Sequence, residues 1–102
     1  MSGVPELLVL RLLDQREMYG YELVRAIRTA TNDTITPGEG VVYPVLHSLE
    51  RGKLLKARRK PVSGRTRVYY AITTKGQERL AALKADWLRI QSGIEAAMET
   101  SA

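Results

Sequence analysis

The hydrophobic period of this 102-residue chain changes at Leu54, and that change restricts the folds open to it. Before Leu54 apolar residues recur at the spacings of helices. From Leu54 to Ile72 they alternate with polar ones, as in a strand with one buried face. Beyond Ile72 the helical spacing returns. A chain of this order has to set a short sheet between helices around a single core, because its length supports only one.

Pro5 suits an opening turn, and Leu7, Leu8, Val9, Leu10, Leu12 and Leu13 leave a thin polar strip at Glu6, Arg11 and Asp14. Residues 5–16 are therefore expected to form a helix buried on most sides. Met18-Tyr19-Gly20 interrupts it, and a second helix is expected from Tyr21 to Thr31 on Leu23, Val24 and Ile27. Tyr19 and Tyr21 are expected to pack between these two helices. Asn32 to Gly40, with its Asn, Asp, Thr, Pro and Gly residues, reads as a connection. A third helix from Val41 to Arg51 would bury Val42, Val45, Leu46 and Leu49 and close on a left-handed Gly52. Pro44 is tolerable only within about its first turn, which sets the start near Gly40 or Val41.

In the alternating stretch, Val68, Tyr70 and Ile72 share one face and Arg67, Tyr69 and Ala71 the other. A shorter run, Leu54 to Lys60, ends at Pro61, so a hairpin with a loop at Pro61 to Arg65 is expected. Tyr70 is assigned to the core and Tyr69 to the more exposed side. Thr73 and Thr74 both offer N-caps, and Thr74 with Gln77 fits a capping box, for a last helix that runs to about Glu99. Along it Leu80, Leu83, Trp87, Ile90 and Ile94 follow the alternating three- and four-residue steps of a seam that needs a partner helix. The fold class is mainly α with a small β-hairpin. Residues 1–73 follow the plan of a winged helix-turn-helix, and residues 74–102 form a C-terminal dimerisation helix, the two making one compact unit.

Charge is concentrated in the hairpin. Arg51 to Arg67 hold eight basic residues and no acidic one, whereas residues 1–50 hold four basic against seven acidic and residues 73–102 four against four. A hairpin so charged suits a polyanion, and double-stranded DNA is the expected partner. Lys56, Arg58, Arg59, Lys60, Arg65 and Arg67 are candidates for phosphates. Glu39, Gly40, Val41, Tyr43, Pro44, His47 and Ser48 occupy the side of the third helix away from its core positions, where Tyr43 and His47 can donate or accept at base edges. Two readings of Tyr43 stay open, a contact to DNA or support of the wing.

Other classes find less in the residues. No cysteine is present, the single histidine, His47, has only Glu50 close by in sequence, and neither a metal site nor a nucleophile with its base is discernible. Gly38-Glu39-Gly40 lacks the strand, third glycine or lysine of a nucleotide loop. No enzyme activity or cofactor is expected. No apolar run approaches the roughly 20 residues of a membrane span, and a cytoplasmic location is expected.

Three strings then match one family: Tyr19-Gly20-Tyr21-Glu22-Leu23; Tyr43-Pro44-x-Leu46-x-x-Leu49-Glu50-x-Gly52-x-Leu54; and Gly64-Arg65-x-Arg67-x-Tyr69-Tyr70-x-Ile72-Thr73-x-x-Gly76. Together they resemble the PadR family of bacterial transcriptional regulators over about residues 5–80. The resemblance implies a homodimeric winged-helix repressor of the short-tailed branch, with its third helix in the major groove and its wing on the backbone. It also implies a flat aromatic effector between subunits in some members, for which Trp87 is the candidate. Val41 stands where a small hydroxyl residue is common in the family, and His47 where Arg or Lys is frequent. Two other readings of the basic hairpin are a non-specific DNA-binding protein and a winged-helix module for an acidic protein partner.

Overall fold

The computed structural model describes residues 3–101, with elements in the order α1 (Val4–Gln15), β1 (Met18–Tyr19), α2 (Gly20–Ala30), α3 (Glu39–Arg51), β2 (Leu55–Val62), β3 (Arg65–Ile72) and α4 (Thr74–Glu99). The three antiparallel strands lie in the order β1-β3-β2. Mainly helical content with a small hairpin is as expected. The third strand is not: Met18 pairs with Tyr70 and Tyr19 with Tyr69, so the interruption after α1 is an edge strand. Two residues are too few to show alternation.

The core is built from one face of each element: Val9, Leu10, Leu12 and Leu13 of α1, Met18 of β1, Leu23 and Ile27 of α2, Val42, Leu46 and Leu49 of α3, Leu55 and Tyr70 of the hairpin, and Leu80 of α4. Burying a side chain of this size contributes roughly 1.5–3 kcal/mol, which offsets the ordering of the chain around it. No buried side-chain nitrogen or oxygen among the described residues lacks a hydrogen-bond partner.

Helix ends depart from the sequence expectation in informative ways. α3 begins at Glu39, so Pro44 falls in its second turn, where its missing N–H leaves the carbonyl of Gly40 without the usual donor. Its C-terminus is a Schellman motif: the Lys53 N–H donates to the Glu50 carbonyl at 2.9 Å and the Leu54 N–H to the Leu49 carbonyl at 2.9 Å. The left-handed residue is Lys53 with φ 63°, and Gly52 has an ordinary φ of −80°. The hairpin turns on two residues, Ser63 (φ 50°) and Gly64 (φ 79°). This is tighter than the expected Pro61–Arg65 loop, with Pro61 opposite Thr66 inside the ladder.

Of the two expected caps, Thr73 is the one that caps α4. Its hydroxyl oxygen accepts from the Gly76 N–H at 3.1 Å and donates to the Lys53 carbonyl at 2.8 Å. Gln77 does not close a capping box; its amide donates to Asp14 of α1 at 3.0 Å. A Cβ at Gly76 would stand 2.2 Å from the Leu54 carbonyl oxygen, so only glycine lets the first turn of α4 rest on the α3–β2 connection. Arg79 donates to Glu6 at 2.9 Å, and that carboxylate raises the pKa of the guanidinium. Leu80 and Leu83 still pack on the core, the later turns of α4 project past it, and the molecule extends 63 × 28 × 21 Å.

Candidate nucleic-acid interface

α3 turns a single ridge away from the core. Val42, Leu46 and Leu49 point inward, and Gly40, Pro44, His47 and Arg51, three or four residues apart, form the exposed line on the opposite side. Glu39, Val41 and Ser48 are also exposed. Arg51 belongs with this group by position. It lies at the end of the helix and sequence reasoning counted it only in the charge of the hairpin, although its spacing of four from His47 was the available signal.

Tyr43 is the exception on that side. It is half-buried, and its ring covers Gly20 so closely that a Cβ there would lie 2.5 Å from the ring. Burial, then Glu39 and Tyr19, raises the phenol's pKa, so it stays a neutral donor. The contact fixes the start of α2 against α3, the two helices of the helix-turn-helix. Between them Thr31 ties the connection down: its hydroxyl donates to the Ile27 carbonyl at 2.8 Å and accepts from the Ile35 N–H at 3.1 Å. Asn32 (φ 52°) and Asp33 (φ 60°) make the turn in the left-handed region.

The pleat divides the hairpin cations. Arg59 pairs with Val68 and shares the face of Tyr70, the core face. Lys56, Arg58, Lys60, Arg65 and Arg67 share the outer face with Tyr69, and Tyr19 of β1 extends that face across β3. Tyr19 and Tyr69 meet edge to face at 5.5 Å. The Arg67 guanidinium lies over the Tyr19 ring at 4.3 Å and the Lys60 ammonium over Tyr69 at 4.6 Å. The outer face is thus a layer of cations on two tyrosines. Tyr70 is core, as expected; Tyr69 is half-buried beneath Lys60. The expected site for Tyr19 and Tyr21 between α1 and α2 is not observed, because β1 draws Tyr19 onto the sheet and Tyr21 is exposed with Arg25 over its ring.

Two of the outer cations are paired. Glu17, in the connection between α1 and β1, accepts hydrogen bonds on one oxygen from Arg58 and from Lys60, the latter at 3.0 Å. These bonds, with Lys60 the larger influence, hold its carboxyl below the usual carboxylate range. Among the described residues Arg51, Lys53, Lys56, Arg59, Arg65 and Arg67 form no ion pair.

The seam of α4 is only partly covered by its own chain. Leu80 is buried in the core and Leu83 packs against it. Trp87 and Ile94 are 41% and 52% exposed, and Ile90 is intermediate. With Val4 and Leu7 of α1, Leu83, Trp87 and Ile90 line an open cleft of about 370 Å³ that Glu6, Arg79 and Asp86 also border. The described residues contain no group of His, Asp or Glu able to hold a metal, and no helix long and apolar enough to cross a membrane.

A helix-turn-helix with its second helix exposed, a basic hairpin following it and a helix appended after the hairpin define a winged-helix protein of the regulator type. The PadR-like transcriptional regulator family model matches residues 9–82. A Lysinibacillus sphaericus protein is 33% identical over 100 residues, covering 97% of this chain and 92% of its own. The transcriptional regulator YqjI of Escherichia coli K12 is 33% identical over 76 residues, 74% of this chain but only 35% of that longer protein. The crystal structure of a PadR-like transcriptional regulator from Bacillus cereus superposes with a TM-score of 0.82 at 32% identity, covering 98% of this chain and 96% of that one. The chain belongs to the PadR-like family of transcriptional regulators.

Proposed function

We propose that this regulator represses transcription by binding, as a homodimer, a two-fold symmetric DNA operator. The observation that carries this reading is the exposed ridge Gly40-Pro44-His47-Arg51 on a helix whose other side is locked into the core, beside a hairpin whose outer face sets five cations, three of them without an ion pair among the described residues, against the single carboxylate of Glu17. A helix so held can enter a major groove without losing its own support. His47 and Arg51 offer donors to base edges, with Tyr43 behind them fixing the helix to α2. Arg59, Arg65 and Arg67 supply phosphate contacts from the wing, and Lys56 adds a fourth cation.

Dimerisation is proposed through α4. Leu83, Trp87, Ile90 and Ile94 leave an apolar stripe uncovered, continuous with Val4 and Leu7, and a second copy would cover both. Two reading helices about one helical turn apart, about 34 Å, then match half-sites of a palindrome. A planar apolar effector is proposed to lodge beside Trp87 and to alter the angle between subunits, and with it the match to DNA.

Selection of bound sequences from a random duplex pool at near-physiological salt tests the reading. A two-fold symmetric consensus is expected. If about four cations per protomer meet phosphates, log K falls with log salt at a slope of roughly −7. Equal binding of all sequences would instead indicate a non-specific DNA-binding protein. Absence of duplex binding would leave an acidic protein as the partner of the wing.

A further inference from the structure

Glu17 stands apart from the family motifs and from the core, yet it makes the only long-range ion pairs of the wing among the described residues. Its backbone is not free to wander. Arg16 on one side is extended at the end of α1 and pairs with Glu22 at 2.9 Å; Met18 on the other is buried and laddered to Tyr70. Continuing the β1–β3 register by one residue sets Glu17 opposite Ala71, in the row that ends at Lys56 of β2. Alanine in the middle of that row leaves room for a side chain to cross β3.

Lys60 lies four residues farther along β2 than Lys56, roughly 13 Å toward the tip of the wing at strand spacing. To reach Glu17 it folds back over the Tyr69 ring, and Arg58, opposite Tyr69, meets the same carboxylate oxygen. The carboxylate therefore occupies the place that a phosphate oxygen would take between these two cations. It also draws a lysine away from the distal half of the wing.

We propose that Glu17 is an intramolecular substitute for a DNA phosphate that holds Arg58 and Lys60 back from the duplex and so limits binding to sequences that do not match α3. This inference rests on the proposed DNA-binding function. A matched duplex gains its affinity from the α3 ridge and from Arg59, Arg65 and Arg67, none of which Glu17 touches. A random duplex depends on backbone contacts alone, and it is there that two sequestered cations matter most.

The test is Glu17→Gln in the full chain, which keeps the shape and removes the charge. Duplex binding is measured over a salt series on a selected sequence and on random DNA, with thermal melting of each variant. The expected result is roughly a three- to tenfold gain per protomer on random DNA, the scale of losing two exposed ion pairs. The salt slope should steepen by about two per protomer, and discrimination between the two duplexes should narrow. With Arg58→Ala and Lys60→Ala already in place, Glu17→Gln should change nothing. Glu22→Gln, which removes an acid paired outside the wing, should leave binding as it was. A Glu17→Gln protein that binds random DNA like the parent overturns the inference, whether or not it melts lower, while loss of binding on Arg65→Ala shows the DNA reading intact. A gain that persists without Arg58 and Lys60, or that Glu22→Gln reproduces, overturns it as well. If the parent binds no duplex at all, both readings fall together.

Discussion

The part of the chain that ends at Leu80 and the part beyond it bury their apolar residues against different things. In the first, Leu10, Leu23, Ile27 and Leu46 reach complete burial among helices and strands of one chain. In the second, Trp87, Leu88, Ile94 and Met98 stand 41–79% exposed on a helix that no other element covers. Sequence alone makes both stretches amphipathic. The difference is that α1, α2 and α3 are short and closed by turns into a bundle, whereas α4 is 26 residues long and outruns the bundle after about two turns. A helix that continues in this way gains stability when its apolar stripe finds a surface, and the dimer proposed above would supply one to the second region while the first has its own.

Substitutions separate the two regions by size of effect. Leu46→Ala, at the centre of the first, is expected to cost about 2–5 kcal/mol and to lower the melting temperature at every protein concentration. Gly76→Val tests the junction between the regions. Its Cβ would collide with a backbone carbonyl, so a loss of about 1–3 kcal/mol is expected in the same melt. Ile94→Asp belongs to the second region. The folded unit should survive, while sedimentation shifts to a monomer and the melting temperature stops depending on concentration. An unchanged oligomer would place the contact between copies elsewhere. Arg65→Ala, at the outer edge of the first region, should leave stability within about 0.5 kcal/mol and reduce the salt slope of DNA binding by about one per protomer.

The smallest effect concerns pH. Glu17 has its pKa lowered in the folded protein, first by Lys60 and then by Arg58, so its contribution is fully present above the unfolded carboxylate's pKa. It is lost as pH falls through the lower, folded value. The parent should therefore be slightly the more stable at neutral pH, where the two run parallel, and the Glu17→Gln curve should meet it as pH falls through that acid window.

Much of the fold was legible because periodicity carries it. The long helices, the switch to alternation at Leu54 and the core face of β3 follow from spacing, and α3 was placed to within two residues. The exceptions are contacts between distant residues. β1 has only two residues, and what makes it a strand is the open edge of β3, not its own composition. Sequence offered Thr73 and Thr74 alike as caps, and Thr73 holds the position with its hydroxyl also tied to the Lys53 carbonyl, a partner twenty residues away. At the site, the ridge of α3 was visible from helical spacing. Of the hairpin cations only Arg67 was given a face by alternation; the others were visible as a group, since their faces depended on a turn of two residues where a longer loop had been expected. Glu17 gave no signal at all. Its partners lie more than forty residues later, across a strand, and nothing short of the register connects them.

The seat of Gly76 on the Leu54 carbonyl has a mechanical consequence. At that spot the end of α3, the root of the wing and the first turn of α4 converge on a few backbone atoms, with the Thr73 hydroxyl bolted across them. No slack linker intervenes, so in the proposed regulator α4 would serve as a crank, passing a swing of the long helix to α3 and the wing together.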